Sequence, residues 1–277
     1  MRFHRIQICA LTVLALVVAL ALAPLPTLPY TRGFAPHWVT VAAALLGAWF
    51  VVRPHLAGVL PAILLLWSAG GLVLDAFRAF FAVTGIPAGD FALVDWPGMA
   101  LRALSLAGCA LVLARILPRI RVPDGVWLGY TAFGIGFVYP MAKLYWSLGG
   151  TLLLPPGYAE GLPYGELVML VVGAAGSLAL VQPWGRGLPR RLVLAGGWTG
   201  TAMLTTMGAM SVFGTLAQLL GLTEGPVPLS DPSAVVTVSL VYGSWLLFGL
   251  AVGGATLAYQ RATRSRPAVR ALRLARP

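Results

Sequence analysis

Long apolar stretches alternate along this chain with short punctuations of Pro, Gly and Arg, and that alternation predicts an all-α fold. Eight such stretches fall at 6–23, 37–52, 57–82, 96–117, 125–150, 164–182, 192–220 and 232–259. Each approaches the roughly 20 residues that one bilayer crossing needs, the second being the shortest. The breaks include Pro24-Leu25-Pro26, Pro155-Pro156-Gly157 and Gly185 to Pro189, where polar backbone returns to water. The expectation is a polytopic integral membrane helical bundle of about eight transmembrane helices. Residues 1–260 form a single transmembrane domain in this reading, and 261–277 a basic, disordered tail.

Composition narrows the class. With 59% hydrophobic and 10% charged residues, the chain is outside the balance that keeps a globular domain in water. The net charge of +11 does not predict nucleic-acid binding, because the basic residues sit in short runs between apolar segments without an aromatic-interleaved basic face. It predicts orientation instead. Alternate connections carry Arg2 and Arg5, Arg53, Arg115 with Arg119 and Arg121, Arg186 with Arg190 and Arg191, and six arginines from Arg261 to Arg276. The opposite connections hold Arg32 together with Asp90, Asp95, Glu160, Glu224 and Asp231. Both termini are therefore expected in the cytoplasm of a multi-pass cell-membrane protein. The arginine tail is expected against anionic lipid or a membrane-protein partner. A cleaved signal peptide ending at Ala21-Leu22-Ala23 is the alternative start, but the apolar run exceeds the roughly 7–15 residues of a signal core.

Lipid gives helices no hydrophobic reason to associate, so small residues must allow close backbone approach. Gly249 and Gly253, Gly173 and Ser177, and Gly196 and Gly200 supply such faces, read here as packing within one chain. Met203, Met207 and Met210 share one helix face and are read as filling packing gaps. A local echo joins Trp67-Ser68-Ala69-Gly70-Gly71 to Trp146-Ser147-Leu148-Gly149-Gly150, with Ser211-Val212-Phe213-Gly214-Thr215 as a degenerate third copy. Duplication of a two-helix unit and chance matching in a Gly-rich chain both remain open. The segment Tyr145-Trp146-Ser147-Leu148-Gly149-Gly150 resembles a Tyr-Trp-x-x-Gly-Gly segment of actinobacterial polytopic membrane proteins. That group has no assigned activity, so the resemblance implies a membrane fold and transfers no catalytic residue.

Ionisable groups inside spans cost about 2.5–3.5 kcal/mol each at mid-membrane and so mark a bundle interior or a wet cavity. Asp75, Arg78, Arg102, Lys143 and Glu166 are the candidates. Counted from the span ends, Asp75, Arg102 and Lys143 share a level about 10 Å below the outer edge. Asp75 and Arg78, spaced i, i+3, are expected to form a local ion pair, and Lys143 to reach Glu166 across a hairpin. Tyr139, Lys143 and Trp146 line one face, with Pro140 expected to bend the helix beside them. Lys143 is the one lysine in the chain, and a lysine's pKa responds to burial where an arginine's does not. Arg78 is read as snorkelling to the interface.

The sequence predicts no cofactor and no metal: His4, His37 and His55 lack ligand spacing, and Cys9 and Cys109 read as buried small hydrophobes. Ser and Thr in 192–220 lack an in-membrane histidine partner and read as helix–helix hydrogen bonding. Three functions are open. The favoured one is a non-catalytic membrane scaffold or accessory protein whose charges pair for folding. The second is a transporter or binder of an anionic or amphipathic ligand, against which stands the lack of a clear pair of broken helices. The third is a membrane enzyme acting on a lipid or isoprenoid, with Asp75 or Glu166 as acid and Lys143 or Arg102 holding the head group.

Overall fold

The computed structural model describes residues 2–24, 28–31, 33–119, 125–154, 164–225 and 227–264, with the side chains of 2, 3 and 166 outside that description. The predicted tail from 265 onward, Arg32 and Glu160 also lie outside it. The described residues are helical and contain no strand. In chain order they form α1 (Arg2–Leu22), α2 (His37–Val52), α3 (Val59–Ser68), α4 (Leu72–Thr84), α5 (Trp96–Ile116), α6 (Gly125–Ile135), α7 (Val138–Ser147), α8 (Tyr164–Leu178), α9 (Arg190–Leu219), α10 (Pro232–Thr237) and α11 (Ser244–Arg264).

Five helical stretches are long and apolar enough to cross a membrane: His4–Leu22, Leu56–Thr84, Trp96–Arg119, Arg190–Leu219 and Pro232–Arg264. Two further apolar helices, His37–Val52 and Leu167–Leu178, are shorter. At 16 residues α2 is about 24 Å long, less than a hydrocarbon core of about 30 Å. The predicted stretch 125–150 is divided into α6 and α7, of 11 and 10 residues.

Three stretches expected to be continuous are interrupted. Between α3 and α4 the chain turns through Ala69 and Gly70 to Gly71, whose φ of 88° is left-handed. A Cβ at Gly71 would also enter the Phe34 ring, so both backbone and neighbour require glycine there. Between α6 and α7 the break falls at Gly136 and Phe137 rather than at Pro140 itself. The physical reason is that a proline clashes with the carbonyl four residues earlier, which here is that of Gly136. Between α10 and α11 lies a π-helical stretch, Val238–Tyr242. The view that the chain lacks a pair of broken helices is thereby corrected.

The helices group into two compact units, 1–121 with 206–243, and 122–205 with 244–277. In the first, α1, α2, α3 and α5 pack on one another. Ala10, Leu14, Val17 and Ala21 form the buried stripe of α1, at helical spacing, while Ile8, Leu16 and Leu22 are exposed. Large apolar side chains thus cover both faces. Gly47 and Gly108 permit the close approach: a Cβ would lie 3.2 Å from Val112 at the first and 3.0 Å from Leu14 at the second. Cys109 is in this core, but Cys9 is on the exposed face of α1, contrary to the sequence reading that both are buried. Helix register decides this, because Cys9 precedes the stripe residue Ala10 and so points away from it.

In the second unit, α6 packs on α8 and α11 around Ala132, Ala174, Phe248, Val252 and Ala255. Gly249 and Gly253 meet α9 directly, where their Cβ atoms would lie 2.7 Å from the Thr205 backbone nitrogen and 2.9 Å from the Thr201 side chain. This GxxxG therefore serves packing within the chain. In contrast, Gly173, Gly176, Gly196 and Gly200 have open space at their Cβ positions.

Candidate functional site

The structure builds a polar network in the first unit around Arg102. It begins with the interruption before α4. Because Gly71 starts a new helix, Asp75 stands in the first turn of α4, where the positive end of the helix dipole favours a carboxylate. Asp75 is completely buried. From α5, Arg102 donates Nε–H to Asp75 Oδ2 and Nη2–H to Asp95 Oδ2 at 3.1 Å. Asp95 is the N-cap of α5 and also accepts the Gly98 N–H on Oδ1 at 2.9 Å. Gly98 is needed here, since a Cβ would collide with the Asp95 carboxylate.

Tyr30 closes the network from the connection between α1 and α2. Its hydroxyl donates to Asp75 Oδ1 at 2.9 Å and accepts the Asp95 N–H at 3.0 Å. Burial pushes the Tyr30 phenol above its ordinary pKa, the Asp95 amide opposes this, and the Asp75 carboxylate adds to the rise. The hydroxyl therefore stays a donor at neutral pH.

Arg78 lies over the Tyr30 ring, 3.8 Å from its centroid, and 4.6 Å from that of Phe91. Its Nη1 donates to the Asp90 carbonyl at 3.0 Å and the Leu93 carbonyl at 3.3 Å. The expected pair of Asp75 with Arg78 is thus replaced by a longer-range one. Arg102 occupies one oxygen of Asp75 and Tyr30 the other, and Arg78 instead holds the end carbonyls of the α4–α5 connection. Two carboxylates and two guanidiniums then balance in charge.

Beside the network is a cavity of about 200 Å³ lined by Phe34, His37, Thr40, Ser68, Asp95 and Arg102. Thr40 donates to Ser68 Oγ at 3.0 Å, and Ser68 donates to the Leu64 carbonyl at 2.9 Å. The Phe34 ring faces the Arg102 guanidinium, 5.1 Å from its centroid. Arg102 Nη1 has no hydrogen-bond partner among the described residues.

The remaining predicted site residues belong to the second unit. Tyr139 and Trp146 are buried, and Lys143 between them is half-buried, with Nζ 5.5 Å from the Tyr139 ring centroid. Trp146 donates Nε1–H to the Leu152 carbonyl at 2.9 Å, and the Tyr139 ring packs tilted against that of Trp245, with centroids 4.8 Å apart. The Glu166 side chain, and with it the expected Lys143–Glu166 pair, lies outside the described residues.

The two Trp-Ser-x-Gly-Gly echoes end helices in different ways. Gly149, with φ 89°, closes α7 with bonds from Gly149 N–H to Trp146 and from Gly150 N–H to Tyr145, a Schellman cap. In the earlier copy the left-handed residue is one position later, at Gly71, and a new helix follows. Gly214 of the third copy sits inside an uninterrupted α9.

No group of three metal-ligating side chains occurs among the described residues. Sequence reasoning missed Asp95 and Tyr30. Asp95 carried a signal, being followed by Trp96-Pro97-Gly98, which is how a capped helix begins. Tyr30 carried none. Comparison with known proteins gives no match, whether to a family model, a curated protein or a solved structure.

Proposed function

We propose that the chain is an eight-span cell-membrane protein with both termini in the cytoplasm, acting as a non-catalytic scaffold or accessory protein. The charge network toward its outer face is a structural latch. The observation that carries this is the saturation of Asp75: fully buried, it has one oxygen on Arg102 and the other on Tyr30. An acid acting on a substrate must reach it, and Asp75, with no exposed surface, is bonded on both oxygens to Arg102 and Tyr30 among the described residues. What the network does is tie three separate stretches together: Arg102 holds Asp75 and Asp95, and Tyr30 bridges the Asp75 carboxylate to the Asp95 amide. Apolar outward faces and basic residues gathered in alternate connections support the topology.

The test has two parts. Reporter fusions in each connection should report alternating sides, with 53–56, 117–124 and 183–191 inside; any pair of consecutive connections on the same side refutes eight spans. Lipid extracts from a strain lacking the chain should match those of its parent, and an accumulated lipid intermediate would instead establish an enzyme.

A binder or transporter is the second reading, favoured by the cavity beside Arg102 and by the interruptions at Gly71 and Gly136. Interrupted helices place unsatisfied backbone groups at cavities in known transporter architectures. An anionic ligand would meet Asp95 as well as Arg102 in this cavity, which weakens that choice of cargo.

A further inference from the structure

A second polar feature lies in the other unit, where the start of α9 meets the end of α11. A groove of about 510 Å³ is lined by Arg190, Leu194, Trp198, Gln260, Thr263 and Arg264. That size is within the roughly 300–1,000 Å³ of small-ligand sites. Its hydrogen-bonding chemistry is one-sided. Arg190 donates Nε–H to Thr263 Oγ1 at 2.8 Å, which leaves both Nη groups without a partner among the described residues. Trp198 Nε1–H occupies the Gln260 Oε1 at 3.1 Å, which turns the Gln260 amide nitrogen outward as a further donor. Arg264 is exposed and has no partner among the described residues. None of the eight Asp and Glu residues lies between 167 and 223 or beyond 231, so neither helix supplies a countercharge near the groove.

We propose that this groove binds the phosphate of an anionic phospholipid headgroup, resting on the reading that this end of the bundle lies at the inner face of a membrane. Two guanidinium forks and an amide, with no carboxylate among the described residues lining the groove, match phosphate oxygens. Leu194 and the half-exposed Trp198 continue the groove along the helices as an apolar wall, suited to the glycerol and the first methylenes of a lipid. Free phosphate would satisfy the arginines but would leave this wall uncovered. None of the six lining residues belongs to the sequence beyond 264.

The test is native mass spectrometry of the full chain in neutral detergent with added phosphatidylglycerol or phosphatidylcholine. Phosphatidylglycerol should bind preferentially. Each arginine near a membrane surface contributes about fivefold, so Arg264→Gln should weaken phosphatidylglycerol binding about fivefold and Arg190→Gln/Arg264→Gln about twenty-five-fold. Arg264→Lys, which keeps the charge and loses the fork, should bind between wild type and Arg264→Gln, and this single exposed position decides the matter if the double variant does not fold. Arg53→Gln, outside the groove, should weaken binding far less than Arg264→Gln. Equal binding of the two lipids, or equal loss from Arg53→Gln, overturns the site. Displacement of the lipid by millimolar inorganic phosphate overturns the lipid as occupant. Release of the wild-type chain from membranes by alkaline carbonate would refute the membrane reading itself, whereas retention without lipid preference refutes only the groove.

Discussion

Removing the charge on Arg102 should harm the fold far more than removing the charge on Asp75. Among the described residues Arg102 is the one cation bonded to both Asp75 and Asp95, with side-chain exposures of 8%, 0% and 6%. At a separation of about 4 Å and an effective dielectric near 20, each attraction is about 4 kcal/mol before desolvation is counted. Arg102→Gln strands two carboxylates, and an uncompensated buried charge costs about 3–5 kcal/mol. Asp75→Asn leaves a balanced Arg102–Asp95 pair, and the new amide oxygen still accepts one hydrogen bond, so the loss should be only about 1–2 kcal/mol. The double variant removes one carboxylate together with the guanidinium and should recover about 2 kcal/mol relative to the sum of the single losses. Thermal unfolding of the full chain in detergent, followed by tryptophan fluorescence, reads these values. At about 2–4 °C per kcal/mol, Arg102→Gln should lower the midpoint by about 6–20 °C and Asp75→Asn by about 2–8 °C. Equal effects of the two single changes, or strict additivity in the double, would refute the shared-guanidinium account.

Tyr30→Phe removes one donated and one accepted hydrogen bond and should cost about 1–3 kcal/mol in the same assay. Because the folded Tyr30 pKa is raised above its ordinary 10.0, its contribution is complete below that value and is lost as pH rises through the folded pKa. Wild type should therefore lose stability above about pH 10 more steeply than Tyr30→Phe, and parallel curves would contradict this. Gly71→Ala forces a β-carbon into left-handed backbone and against Phe34, and should lower stability by more than the roughly 1–3 kcal/mol of backbone strain alone. Gly149→Ala has the same backbone strain with open space at its Cβ, so it should cost less; the reverse order would disprove the Phe34 contact.

Much of this was legible from the chain itself, because outward-facing and core-facing positions are both apolar and the runs are long. The outer limits of most helical segments emerged near those expected, and Asp75 and Arg102, which the sequence reading set at one depth without pairing them, are in contact. The partner choice did not follow from spacing. An i, i+3 rule selects Arg78, yet the free end of α4 and the depth of Arg102 favour the contact between helices. Asp95 reads as an acidic loop residue because composition cannot tell a solvated carboxylate from one capping a helix and facing inward. Tyr30 is brought to the network by a return of the chain that no periodicity encodes. The place of the interruption in the stretch 125–150 reflects a similar limit: Pro140 marks a break, but the strain is relieved at Gly136, four residues before it.

The latch reading is tested most directly by asking a strain lacking this chain to grow with the Asp75→Asn/Arg102→Gln variant. That variant abolishes the Asp75–Arg102 ion pair, and its folded yield is measured in the same membranes. If the network is structural, folded double variant at wild-type abundance restores the parental phenotype. Failure to restore it at equal folded abundance would show that these charges act on a ligand or substrate and contradict the account.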